Sequence, residues 1–160
     1  KAGKKLPLFI LKRAIPFQKT NALKTIENFK ALFLILSGIA GKSMGMKLGD
    51  EQEIVMDLAD LLAEIYISES LYLRTEKIAA NNKESREYGV KKAILYLHLY
   101  MSIQKVQTKA NTIIDSLPKN TKQNFLKWAT RLLTKQIAIN PTELRRNIAL
   151  YFIEKGGYTW

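Results

Sequence analysis

Apolar residues recur at three- and four-residue spacing along the chain, most regularly in residues 50–82. This stretch has no proline or glycine and is long enough for a helix of roughly 50 Å. Two adjacent apolar rows follow it, namely Ile54, Leu58, Leu61, Ile65 and Tyr72, and beside them Val55, Leu62, Tyr66 and Leu73. Together they form a stripe too wide for a two-stranded coiled-coil seam, which predicts a helix packed in a bundle. Asp50 and Glu53 have the spacing of a capping box at its start.

A preceding helix is predicted from a cap at Thr20 or Asn21 to about Lys47. Its first half is amphipathic, but residues 31–36 (ALFLIL) are apolar on every side, which implies burial all round. Either the bundle encloses this segment, or another chain or domain covers its outer face. We therefore expect an assembly surface in this segment, formed by Leu32, Phe33, Leu34 and Leu36.

A third helix is predicted from Ser85 until Pro118 stops it. One face carries a continuous apolar row: Val90, Ala93, Ile94, Leu97, Met101, Val106, Ile113, Ile114 and Leu117. Its length matches that of the preceding helix, so the two are expected to lie antiparallel across a short turn. His98 is interpreted as a packed or half-exposed residue rather than a ligand or base, because its neighbours at helical spacing are Ile, Leu, Met and Ser.

Two shorter helices complete the pattern. Asn120, with Gln123 as capping-box partner, is expected to start the fourth. Asn140 followed by Pro141 starts the fifth, which Gly156 and Gly157 end. Tyr158 and Trp160 are expected to dock as aromatic anchors. The fold class is therefore an all-α bundle of about five helices: two long central antiparallel helices, a long first helix and two shorter C-terminal ones.

Composition excludes several kinds of chemistry. The 160 residues contain no cysteine and one histidine, so a disulfide scaffold, a thiol nucleophile and a zinc site are not expected. The segment GIAGKSMG shares its GKS tail with a phosphate-binding loop, but Leu36 stands where the first glycine is required and a helix precedes it. The longest uncharged run near the start, residues 31–41, is shorter than the ~20 residues that span a bilayer. No catalytic, cofactor-binding or metal-binding residue is predicted.

Charge divides the chain in two. The net charge is +12, and half of it falls in residues 1–19, which contain no acid. We therefore separate a basic linker or leader, 1–19, from a single helical domain, 20–160. The leader is interpreted as a linker, or alternatively as a peripheral contact with an anionic membrane through six residues: Lys4, Lys5, Leu8, Phe9, Lys12 and Arg13. A nucleic-acid partner is not expected, since bases are not concentrated on a folded face.

The helical part of the sequence resembles a known family. The stretch NALKTIENFKALFLILSGIAGK, the following GDEQEIVMDLADLLAEIYISESLYLRTEK and the closing PTELRRNIALYFIEKGGYTW are similar to the C-terminal extension of very-long-chain-type acyl-CoA dehydrogenases, particularly bacterial ones. The matching elements are Asp50-Glu51-Gln52, Leu58-Ala59-Asp60, Ile65-Tyr66, Glu69-Ser70 and Leu73-Arg74. The likeness covers nearly the whole chain and is a distributed pattern rather than a catalytic motif.

The resemblance implies a role outside the chemistry. A complete member of the family binds FAD in a catalytic core and oxidises acyl-CoA thioesters in fatty acid β-oxidation, with a glutamate as base. The extension is associated with dimer organisation and membrane attachment. We therefore expect a non-catalytic domain in the cytoplasm. FAD is expected in the missing catalytic core of the parent enzyme and not in this chain. The expected partners are that core and a second copy of the chain. The glycine-interrupted SGIAGKSMGMKLG departs from a membrane-seeking helix, so a peripheral membrane location is the alternative.

Overall fold

The computed structural model describes residues 22–119 and 121–157. Within these ranges the chain forms five α-helices and no strand, which confirms the all-α prediction. Their bounds are α1 Ala22–Met44, α2 Gln52–Asn81, α3 Arg86–Ser116, α4 Gln123–Leu133 and α5 Pro141–Glu154, with a 3-10 helix at Gly45–Gly49 between α1 and α2.

The first helix ends near its predicted terminus, and its chain continues as the 3-10 helix. Gly45 adopts a positive φ of 56°, a conformation open to glycine at little cost, and this accounts for the change of helix type. Residues 38–44 are helical, so GIAGKSMG does not form a phosphate-binding loop. The predicted caps Thr20 and Asn21 lie outside the described residues.

By length and composition alone, the segment Ala22–Gly49 would suffice to cross a membrane. Core helices of bundles meet the same criterion, and α1 contributes a continuous row to this core. The buried apolar residues of that row are Ala22, Ile26, Phe29, Ala31, Leu32, Ile35, Leu36 and Ala40.

The two long helices form an antiparallel hairpin, as predicted. Hydrogen bonds and ion pairs between them join Asp57 to Lys109, Glu64 to Lys105 and Ser68 to His98, so residue numbers rise on one helix as they fall on the other. The connection at residues 82–85 is short, and the Ser85 hydroxyl accepts a hydrogen bond from the Tyr88 backbone N–H at 3.1 Å. This cap satisfies one of the donors at the start of α3.

Two predicted caps are wrong. The N-cap of α2 is Glu51, without a side-chain bond, because the Asp50 backbone instead closes the 3-10 helix by donating to the Lys47 carbonyl at 3.0 Å. The helix α4 begins at Gln123 itself, whose side-chain amide donates to the Leu117 carbonyl at 2.9 Å. The expected partner Asn120 lies outside the described residues.

The core lies between α1, α2 and α3, with α4 closing one side. The predicted residues Val106, Ile113, Ile114 and Leu117 belong to it, which confirms the later part of the predicted face. In the first half of α3 the core residues are instead Leu95, Leu99 and Ile103, each at most 2% exposed. Met101, which was assigned to that face, is 40% exposed. In the upstream part of the predicted row, Val90 is buried as expected, and Ala93, Ile94 and Leu97 are half-buried. The helix α5 packs against this side of α3.

The helix α5 is attached more lightly than the others. Asn140 caps it as predicted, with its side-chain oxygen accepting from the N–H groups of Thr142 and Glu143 at 3.2 Å each. Tyr151 is its only buried residue. The glycine end is confirmed, since Gly156 and Gly157 have φ values of 75° and 138°. The predicted anchors Tyr158 and Trp160 lie outside the described residues.

Candidate functional site

An apolar row runs along the solvent side of α2. Val55, Leu62, Tyr66 and Leu73, which we call the outer row, are 44%, 51%, 73% and 60% exposed. Met56 and Ile67 flank the row and are also exposed. Since the sequence pattern predicted that both rows of α2 form one packed stripe, that prediction is wrong for this row. An exposed apolar surface that follows a helix for several turns is typical of a protein contact.

The predicted assembly surface on α1 is reduced by the structure. Leu32 and Leu36 are 1% and 0% exposed and belong to the chain's own core, and Phe33 packs partly against that core. Only Leu34, at 67%, points into solvent. The expected burial all round is therefore wrong within this chain, because α2 and α3 cover one side of α1 and leave the side of Leu34 open. An assembly role at Leu34 stays a prediction.

A cluster of polar side chains interrupts the inner face of the α2–α3 hairpin. The Nε2 atom of His98 lies 3.1 Å from the hydroxyls of both Ser68 and Ser102. Ser102 donates to the Glu64 carboxylate at 2.6 Å, and Lys105 donates to the other oxygen of that carboxylate at 2.7 Å. Ser68 and Ser102 are 0% and 1% exposed. Each helix supplies polar residues one turn apart, so the antiparallel register brings them together.

Burial and hydrogen bonding set the pKa values in this cluster. Burial lowers the pKa of His98, against the opposing influence of Glu64, so the imidazole is neutral near pH 7. Burial would raise the pKa of Glu64, but the hydrogen bonds from Lys105 and Ser102 together outweigh it and lower that pKa. Glu64 is therefore ionised and His98 neutral, and the 3.9 Å between them is not an ion pair at neutral pH.

The chemistry open to this cluster is limited. The Ser102 hydroxyl donates its hydrogen bond to the Glu64 carboxylate, and both serines are buried, out of reach of a substrate. A surface groove reaches Glu64 and Lys105, but neither serine nor His98 lines it. In the described part of the chain, no group of three or more His, Cys, Asp or Glu side chains could hold a metal ion. The cluster satisfies buried polar atoms and fixes the register of the hairpin, as hydrogen-bonded core networks do.

Sequence reasoning did not find this cluster. It compared His98 only with neighbours on its own helix, whereas Glu64 and Ser68 come from α2. The spacing of Glu64 and Ser68, four residues apart on the inner side of α2, was the available signal. His98 is indeed packed, with a side chain that is 17% exposed.

Ion pairs line the edges of the same hairpin. Lys109 contacts Asp57 at 2.7 Å and Asp60 at 2.8 Å. The hydrogen bonds that Lys109 donates to Asp57 and Asp60 raise its pKa, and the bond to Asp57 has the larger effect. Lys30 of α1 pairs with Glu69 of α2. Four acids of α2, namely Asp57, Asp60, Glu64 and Glu69, are therefore paired with bases of α1 and α3.

The six residues predicted to contact a membrane lie in the leader and outside the described residues: Lys4, Lys5, Leu8, Phe9, Lys12 and Arg13. A membrane contact through these residues therefore stays a prediction.

Comparison with known proteins gives these surfaces a context. A family profile described as "Acyl-CoA dehydrogenase, C-terminal domain" matches residues 28–131, which is well over half of the chain. The chain belongs to this family. The matched residues include the outer row and the His98 cluster, whereas α5 and the basic leader lie beyond them. The family resemblance drawn from the sequence is confirmed; its very-long-chain type stays a prediction.

Two relatives are informative. A probable acyl-CoA dehydrogenase of Bacillus subtilis (strain 168) is 27% identical over 137 residues, which are 84% of this chain and 22% of that protein. The crystal structure of an acyl-CoA dehydrogenase complexed with FAD from Bacillus anthracis superimposes with a TM-score of 0.84 and 23% identity, covering 98% of this chain and 27% of that one. The chain thus spans about a quarter of the length of the proteins it matches, and the likeness to the solved structure shows the fold.

Proposed function

We propose that this chain is the non-catalytic C-terminal helical domain of an FAD-dependent acyl-CoA dehydrogenase of fatty acid β-oxidation. Its role is to pack against the flavin-binding core of the same cytoplasmic enzyme and to contribute to the assembly of subunits. Family membership supports the parent enzyme, and the exposed outer row of α2 supports the packing role.

The outer row is the observation on which the packing role depends. Its four members recur at four- and seven-residue intervals, which places them on one side of a straight helix. Each is large and apolar, yet the bundle of this chain leaves it in contact with water. A soluble helix usually carries charge on such a side, and here the acids of α2 are drawn instead toward α1 and α3. The apolar side is therefore available for a second packed layer.

No flavin-binding pattern is present in the sequence of this chain. A groove formed by α2, α3 and α5 has an aliphatic and aromatic floor, and the hydroxyl of Thr75 within it already donates a hydrogen bond to the Leu71 carbonyl at 2.8 Å. Its polar lining is otherwise the charged side chains of Arg74, Lys77, Lys91 and Glu87. We therefore assign flavin binding and the oxidation of the thioester to the rest of the parent enzyme.

The packing role can be tested by binding in solution. The 160-residue chain and the flavin-binding core of its parent enzyme, produced separately, are expected to form a complex in analytical ultracentrifugation. The double variant Leu62→Glu/Tyr66→Glu places two charges in the outer row and should weaken that complex by at least about tenfold, because each charge loses water at the contact.

A matched control carries the same charges elsewhere. Gln104→Glu on α3 and Asn124→Glu on α4 alter exposed polar positions and should leave binding unchanged. Equal loss in both double variants, or no complex with the wild-type chain, would contradict the packing role. Flavin bound to the isolated chain together with dehydrogenase turnover would contradict the non-catalytic assignment.

A further inference from the structure

A groove separate from the outer row lies where α5 crosses the end of the α2–α3 hairpin. Its volume is about 620 Å³, within the range of small-molecule sites. Five apolar side chains from all three helices form its floor and walls: Leu71, Ile78, Ile94, Ile148 and Phe152. All five are half-buried rather than protruding, so the groove is concave and apolar in its depth.

The rim of the groove is basic. Arg74 and Lys77 from α2 and Lys91 from α3 border it, against the single acid Glu87. Among the described ion pairs, none links any of these three cations to a carboxylate. This differs from the other end of the hairpin, where Lys105 and Lys109 are both paired with acids of α2.

Helix dipoles do not explain these cations. Lys and Arg are favoured in the last turn of a helix, and acids in the first. Glu87 follows this rule in the first turn of α3, but no base occupies the last turn of α2. Lys91 stands near the positive end of α3, where a cation gains nothing from the dipole. The helix dipoles therefore do not account for a rim with three bases and one acid.

We propose that this groove binds a free amphiphile with an aliphatic chain and an anionic head. The chain would lie against the apolar floor, and the head would be held by Arg74, Lys77 and Lys91. Since the hydroxyl of Thr75 is committed to the Leu71 carbonyl, the cations are the polar groups left to fix the head, and they select a negative charge.

The shape of the groove favours a single dissolved molecule over a membrane surface. Insertion into a bilayer requires apolar side chains that project outward, whereas those of this groove are recessed between α5 and the hairpin. The proposal does not depend on the parent enzyme, because it rests on residues of this chain alone.

Calorimetric titration of the 160-residue chain provides the test. Laurate, below the concentration at which it forms micelles, is expected to bind with one molecule per chain. Dodecyltrimethylammonium has a chain of the same length and a cationic head, and it should not bind measurably. Equal binding of the two, or no binding of laurate, would overturn the proposal.

Two variants locate the site. Arg74→Glu/Lys77→Glu, at exposed rim positions, should weaken laurate binding about tenfold or more. Lys122→Glu/Arg131→Glu makes the same change of charge at the N-cap and in the last turn of α4, away from the groove, and should not weaken binding. Ile148→Trp fills the floor and should abolish binding while the rim charges remain. Equal effects of the two charge variants, or unchanged binding in Ile148→Trp, would overturn the assignment.

Vesicles of anionic phospholipid test whether the groove binds lipid in a membrane instead of a dissolved amphiphile. Sedimentation with these vesicles should leave the chain in the supernatant. Binding to vesicles without binding of laurate would assign the groove to a membrane contact and overturn the proposal. Failure of any of these experiments leaves the packing of the outer row untouched, since no outer-row residue lines the groove.

Discussion

The two sides of α2 are almost equally apolar and have opposite environments. Leu61 and Leu62 are adjacent leucines, yet Leu61 is 2% exposed in the core and Leu62 is 51% exposed in the outer row. The inner side includes a buried polar cluster at Ser68, whereas the outer row presents aliphatic and aromatic groups to solvent. On this helix the polar Ser68 is 0% exposed, whereas Tyr66 of the outer row is 73% exposed.

This difference shows what an apolar pattern measures. Apolar residues occur in the sequence wherever a surface is covered, whether the same chain or another part of the assembly covers it. The inner side is covered by α1 and α3. We interpret the outer row as the side that a different part of the parent enzyme covers, and each prediction below tests that contrast through the stability of this chain.

The largest expected effect separates the two leucines. Leu61→Ala should lower the free energy of unfolding by about 2–5 kcal/mol, because it leaves a cavity among α1, α2 and α3. Leu62→Ala should change it by less than about 0.5 kcal/mol, as surface substitutions usually do. Urea unfolding followed by circular dichroism measures both variants. Comparable losses would show that the outer row is packed within this chain after all.

The polar cluster should come second. Ser102→Ala removes the hydroxyl that joins Glu64 and His98 and should cost about 1–3 kcal/mol, the range for leaving buried polar partners unsatisfied. The matched control is Ser116→Ala at the end of α3, where an exposed hydroxyl donates only to the Thr112 carbonyl. The same unfolding measurement should show little change there. A cost at Ser116 as large as that at Ser102 would remove the special role of the cluster.

His98 should make stability depend on pH in a defined window. Its folded-state pKa lies below the ordinary value of 6.5, so the unfolded chain takes up the proton first as the pH falls. Stability should therefore decline from about pH 6.5 down to the lower folded pKa. His98→Gln keeps hydrogen-bonding capacity without titration and should flatten this part of the profile of melting temperature against pH.

Glu64 provides an internal control for that experiment. Its pKa is lowered on folding, so its contribution is complete above the ordinary value of 4.5 and is lost below it. The decline below about pH 4.5 should persist in His98→Gln. An unchanged profile between pH 5 and 6.5 in this variant would contradict the pKa direction assigned to His98.

The smallest effect is expected at the edge of the hairpin. Lys109→Met keeps the aliphatic stem but removes the charge shared by Asp57 and Asp60. The melting temperature should fall slightly at low salt, and the difference should vanish in roughly 1 M NaCl, where exposed charges are screened. Lys83→Met in the turn between α2 and α3 serves as the control. A difference that persists at high salt would mean that the pair acts through packing.

Much of the fold followed from local chemistry. The cap at Asn140, the glycine end at Gly156, the stop before Pro118 and the long helices were predictable because each depends on residues within one or two turns. The predicted capping boxes that include Asp50 and Gln123 are wrong, and the reason is again local. A competing 3-10 helix used the Asp50 backbone, and Gln123 bonded backward to Leu117.

The candidate surfaces were predictable only in part. The assembly surface was assigned to α1, but two of its four residues, Leu32 and Leu36, fill the core, and the outer row of α2 was taken as packed. Spacing along one helix gives the angle between side chains and leaves open which of two apolar sides meets the bundle.

The sequence by itself determined the five helices of the described residues and their long central hairpin, since helix periodicity and helix ends are local properties. Tertiary structure alone decided which side of α2 is covered. It also brought Glu64 and Ser68 to His98 and placed α5 where it forms one wall of the groove. These depend on the rotation and register of helices against one another, which are set by the packing of side chains far apart in the chain.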